Sequence, residues 1–142
     1  MTVADIIDGV EIHAPPERVY EALTTADGVR AWWMRDADLE PRIGGAGEFR
    51  FQGHELATKV SVEDLAPPAR VAWRVTASQH PEWVGTTISF DLRPEAGGAA
   101  LAFAQRGYAE AGDCYALCTT GWTHYLASLK AYVETGKGDP HA

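Results

Sequence analysis

Hydrophobic and polar positions along the chain switch between a period of two and a helical period. Val3 to His13 mixes β-branched residues with acids and reads as a first strand. Ala14-Pro15-Pro16-Glu17 stops it and opens a helix, because proline is tolerated in the first turn and Glu17 suits the positive end of the dipole. Val19, Tyr20 and Leu23 give this short helix an apolar face. Thr24 to Asp27 breaks it, and Val29, Trp32 and Trp33 predict a second short helix ending in paired tryptophans.

From Leu39 onward the period becomes two. Gly44-Gly45 and Gly47 turn the chain into Glu48-Phe49-Arg50-Phe51-Gln52, with both phenylalanines on one face. Gly53-His54-Glu55 reverses it. Val60 and Val62 then alternate with Lys59, Ser61 and Glu63, and Pro67-Pro68 marks the next turn. Val71, Trp73 and Val75 form one inward row, and Ile88, Phe90 and Leu92 another, separated by a loop around His80-Pro81-Glu82. Gly97-Gly98 is a hairpin signal, after which Leu101, Phe103 and Gln105 face one way and Ala100, Ala102 and Ala104 the other. Strands that follow one another without helices between them form an antiparallel meander, here of about six strands. Gly112 to Thr135 returns to a helical period, with Trp122, Leu126, Leu129 and Val133 on one face and Tyr115 and Cys118 extending it backward. At 1.5 Å per residue this helix spans about 35 Å, enough to cross the sheet. The expected class is α+β, with one domain over residues 1–136 and a fraying tail over 137–142.

Composition narrows the functions open to such a domain. Hydrophobic residues make up 46% of 142, and acids outnumber bases 20 to 12. A net charge of -8 with scattered basic residues repels phosphate backbones and anionic lipid, so neither nucleic acid nor membrane is an expected partner. Met1 to Gly9 carries Asp5 and Asp8 without a basic cluster, which argues against a secretory leader and makes the cytoplasm the expected location. Cys114 and Cys118 are then two free thiols rather than a redox or metal pair.

The order of elements, and the residues at four places along it, resemble the AHSA1-like family, named after the activator of Hsp90 ATPase, within the START/Bet v 1-like (SRPBCC) helix-grip superfamily. The likeness lies in Ala14 to Thr24, in Trp32-Trp33, in Gly44 to Phe51, and in Gly121-Trp122, Tyr125-Leu126, Leu129-Lys130, Tyr132 and Glu134 to Gly136. It implies a helix-grip fold, a curved antiparallel sheet around the long C-terminal helix. It also implies a small hydrophobic or amphipathic ligand, lipid-like molecules included, in a cavity between the two. Many relatives carry a histidine near the end of the last strand, where this chain has Gln105 followed by Arg106-Gly107, so a role resting on that histidine does not carry over. The eukaryotic co-chaperone of this family has a further Hsp90-binding domain, whereas only the one domain is expected here.

The candidate cavity residues are Trp32, Trp33, Phe49, Phe51, Trp73, Phe90, Phe103, Gln105, Tyr115, Cys118 and Trp122. For any single ring, plain core packing is the stronger reading. Five tryptophans in a chain of this size, beside an inward Gln105, make the set as a whole a candidate ligand lining, with Trp32-Trp33 near its mouth. Tyr125 and Tyr132 could add hydroxyls. The dispersed histidines (His13, His54, His80, His124 and His141) lack metal-ligand spacing, no cofactor is expected, and no nucleophile elbow or catalytic group of residues is found. By alternation Glu48 and Glu63 fall on the solvent face. The favoured reading is a ligand-binding domain, monomeric or homodimeric. The alternatives are an enzyme of polyketide cyclase or dehydratase type, which would work mainly by positioning, and a co-chaperone-like interaction module.

Overall fold

The structure, a computed structural model, describes residues 4–50, 58–78, 83–108 and 113–139, with residues 4, 5, 108 and 113–120 described by backbone alone. In chain order the elements are β1 (Ala4–Ile12), α1 (Pro16–Thr24), α2 (Ala26–Trp32), β2 (Ala37–Leu39), β3 (Ala46–Phe49), β4 (Thr58–Ala66), β5 (Arg70–Ala77), β6 (Thr87–Glu95), β7 (Gly98–Tyr108) and α3 (Asp113–Thr135). The strands form one antiparallel sheet in the order β1-β7-β6-β5-β4-β3-β2. Sequence reading expects about six strands, and β2 is the seventh: three residues are too few to show a period. The expected strand over 48–52 ends at Phe49. Residues 51–52 of that expected strand lie outside the described residues. Arg50 continues the register with β2, its amide bonded to the Asp36 carbonyl and its guanidinium to Asp36 (2.6 Å), Asp38 (2.7 Å) and Glu48 (3.1 Å). That guanidinium holds the Asp38 carboxyl below the usual carboxylate range.

Alternation decides which side of the sheet is dry. Val60 and Val62, Val71, Trp73 and Val75, Ile88, Phe90 and Leu92, and Leu101, Phe103 and Gln105 all point inward and are buried. Glu48 and Glu63 face solvent, in ion pairs with Arg50 and Arg74. Strict alternation fails in one row, where Ala72, Ser89 and Ala104 are buried although they point outward. Their side chains are too short to rise above the longer ones flanking them.

α1 and α2 follow β1 directly. Thr25 joins them, its hydroxyl accepting from the Gly28 amide at 3.0 Å as an N-cap. α3 buries Trp122, Leu126, Leu129 and Val133, the stripe read from the helical period. It lies along β1, whose outer edge would otherwise present unpaired backbone groups. Lys130 Nζ donates to the Glu11 carbonyl (2.6 Å), the His13 amide donates to Glu134 (2.7 Å), and Lys130 and Glu134 pair at 2.6 Å one turn apart. Gly136, at φ +87°, ends the helix with its amide on the Tyr132 carbonyl. Beyond it, residues 137–139, expected to fray, run back against α3, where the Asp139 amide donates to Ser128 Oγ at 2.6 Å.

Glu134 makes this edge contact sensitive to acid. The His13 amide, and then Lys130, hold its carboxyl below the ordinary value. A carboxyl depressed by folding stabilises the folded state above its unfolded pKa, and that contribution is lost as pH falls through the folded value. Glu134→Gln should therefore lower the melting temperature at pH 7. Melting curves taken between pH 7 and pH 3 should show the gap to the parent closing; a gap that stays constant would contradict the assignment.

Candidate functional site: an aromatic layer with a polar relay

Large rings occupy the space between the sheet and the helices. α2 delivers Trp32 and Trp33, the strands deliver Phe49, Trp73, Phe90 and Phe103, and α3 delivers Trp122. Trp33 sits at the centre. Its ring stacks on Trp32 (centroids 5.9 Å apart) and Trp73 (6.1 Å), and it leans on Phe49 (4.5 Å) and Trp122 (5.1 Å). Phe90 meets Trp32, Trp73 and Phe103, and Phe103 meets Trp122 at 4.5 Å. Such offset and edge contacts add about 0.5–1.5 kcal/mol each beyond the area they bury.

This placement corrects one expectation. Trp32 and Trp33 do not stand at a mouth: at 0% and 1% exposure they lie within the core, and the other five rings are at most 2% exposed. Among the described residues these rings pack mainly against one another. Two surface depressions are formed by described residues. One, of about 630 Å³, lies at β2, β3 and β4 around Glu48 and Lys59. The other, of about 390 Å³, lies between the α1–α2 junction and the end of α3. None of the expected residues lines either. Phe51 lies outside the described residues, as do the side chains of Tyr115 and Cys118.

Gln105 does face inward, and it is fully buried. The Trp122 indole Nε1–H donates to its Oε1 at 2.8 Å, its Nε2 donates to Thr86 Oγ1 at 3.0 Å, and the Thr86 hydroxyl donates to the Trp83 carbonyl at 2.6 Å. An indole can only donate, so Trp122 fixes which end of the amide it meets, and the relay runs one way from α3 through β7 to the segment before β6. A neutral relay in an apolar layer is tolerable because each of these groups is paired.

Trp83 and Thr86 escape sequence reading. Trp83 is buried and stacks on Trp122 at 5.8 Å, yet it lies in a loop where no period marks an inward face. Tyr125 is partly buried. Burial, and then the nearby Asp139 carboxylate, push its hydroxyl above the ordinary phenol value, so it stays a neutral donor. His124 pairs with Asp139 at 3.3 Å. Among the described residues no group of three potential metal ligands comes together, and no helix is long and apolar enough to cross a membrane.

A curved antiparallel sheet closed by a long C-terminal helix over an inward-facing aromatic layer defines a helix-grip domain. The family model described as activator of Hsp90 ATPase homolog 1-like protein (AHSA1) matches residues 13–134, and the chain belongs to that family. Among solved structures, the Aha1 dimer from Colwellia psychrerythraea is 34% identical, with a TM-score of 0.85 over 95% of this chain and 99% of that one. A protein from Chromobacterium violaceum is 26% identical, with a TM-score of 0.79 over 92% and 96%. DynU16, from the dynemicin biosynthetic locus, shares the fold at 22% identity and a TM-score of 0.77, over 94% of this chain and 48% of that one. A search of curated proteins finds no match.

The layer makes a stability prediction. Trp33→Ala removes the ring that touches four other described rings and should cost about 3–5 kcal/mol. Gln105→Leu leaves the Trp122 N–H and Thr86 without their partner and should cost about 1–3 kcal/mol. Urea unfolding checks both, and a cost below 1 kcal/mol for Trp33→Ala would mean that the layer is not packed as described.

Proposed function

We propose that the domain binds a small hydrophobic or amphipathic molecule between the inner face of the sheet and α3, with Trp33, Trp73, Phe103 and Trp122 forming the apolar wall. The observation that carries this reading is the Trp122–Gln105–Thr86 relay set inside the aromatic layer. In the closed layer the amide pairs the Trp122 indole, and a bound molecule with one polar end would find in it a hydrogen-bonding pole set in an apolar wall. Family membership supports the same reading, since the helix-grip fold commonly holds apolar ligands. The described rings touch one another, and a guest that enters between them displaces a ring. Trp122 is the natural one to move, being held to the sheet by both stacking and a single indole hydrogen bond.

Native mass spectrometry of freshly purified protein, followed by thermal shift with neutral apolar compounds, tests the proposal. The expected result is a co-purifying small molecule, or a compound that raises the melting temperature and whose affinity falls about fivefold in Trp122→Phe, which keeps a ring but loses the donor. A bare-chain mass together with no stabilising compound would refute it. The same spectrum reports whether the chain is a monomer or, like its Colwellia relative, a dimer.

A further inference from the structure

The last described residues close the seam between α2 and α3. Ser128, buried on α3, donates its hydroxyl to the Trp32 carbonyl at 2.7 Å and accepts the Asp139 amide at 2.6 Å. One hydroxyl thus ties the end of α2, the body of α3 and the segment after Gly136 to a single point. Asp139 is held a second time, by His124 at 3.3 Å. Between these two contacts and the helix end lies Gly138, packed so closely that an added Cβ would sit 2.5 Å from the Ala31 carbonyl oxygen and about 3 Å from Ser128. Only a residue without a side chain lets the backbone lie this deep in the seam.

The carbonyl that Ser128 holds belongs to the residue immediately before Trp33, the ring at the centre of the aromatic layer. Moving α2 away from α3 is the direct way to free Trp32 and Trp33 from their neighbours, and residues 136–139 bridge that movement. We infer that residues 136–139 are a latch across the α2–α3 seam, whose release gives access to the aromatic layer. Admission of a guest by this route rests on the ligand-binding reading; control of access to the tryptophans does not.

Acrylamide, a small neutral quencher, tests the latch without any ligand. All five tryptophans are buried, so the parent should be quenched weakly. Gly138→Val, which cannot keep the close approach to Ala31, and Ser128→Ala, which removes the shared hydroxyl, should each raise the quenching rate constant about fivefold, the change expected when one hydrogen bond to an opening element is lost. Urea unfolding of each variant should remain a single cooperative transition. Unchanged quenching in both variants would overturn the latch. So would a rise no larger than the increase in globally unfolded protein calculated from the urea curves. Should Gly138→Val fail to fold, Ser128→Ala decides alone. If quenching rises and yet no compound stabilises the parent, the latch stands and the ligand-binding reading falls.

Discussion

A helix laid over the inner face of a curved sheet cannot bring its backbone close to every strand, and the gap that remains has to be filled by side chains. In this chain α3 keeps close to β1, α1 and α2, and rings fill the space toward the middle strands. Trp33 reaches into that space from the end of α2 and touches Trp32, Phe49, Trp73 and Trp122 at once. The rest of the structure depends on this contact. Through it α2, the sheet and α3 meet at a single ring. The charged contacts of Lys130 and Glu134 with the end of β1 and with His13 fasten only one side of the helix, at a part-buried edge.

Polar groups within the layer divide the labour. The Trp122–Gln105–Thr86 relay fastens α3 to the sheet on the strand side, and Ser128 fastens it to α2 on the helix side. Both fastenings are neutral and buried, so they resist salt and pH changes that would weaken surface pairs. Each also depends on a few atoms, whereas the hydrophobic contacts are spread over many rings. An element held by broad packing and a few directional bonds can open locally while the domain stays folded.

Much of this was legible in the residues. Alternation identified the inward rows of β4 to β7 because the sheet has one dry face, and the stripe from Trp122 to Val133 identified the buried side of α3 for the same reason at a helical period. Proline and glycine marked the start of α1 and the end of α3. Other features left no local mark. β2 is shorter than any period, Trp83 is inward on a loop, and Gly138 looks like an ordinary tail residue until Ala31 and Ser128 are placed beside it. Alternation also says which way a ring points, not how much room it finds. Whether Trp32 and Trp33 border a space or fill it depends on the curvature of the sheet and the height of α3, which is decided by all the rings together. For that reason the paired tryptophans, expected near a mouth, lie in the middle of the core.

Hydrogen exchange of the Trp122 indole N–H under native conditions tests the central claim most directly, because this proton is the link between α3 and the sheet across the ring layer. If the layer opens locally, it should exchange with a free energy well below that of global unfolding and with little dependence on added denaturant. Exchange only at the global unfolding free energy, with the full denaturant dependence, would show that the layer is a permanently closed core and would contradict the account.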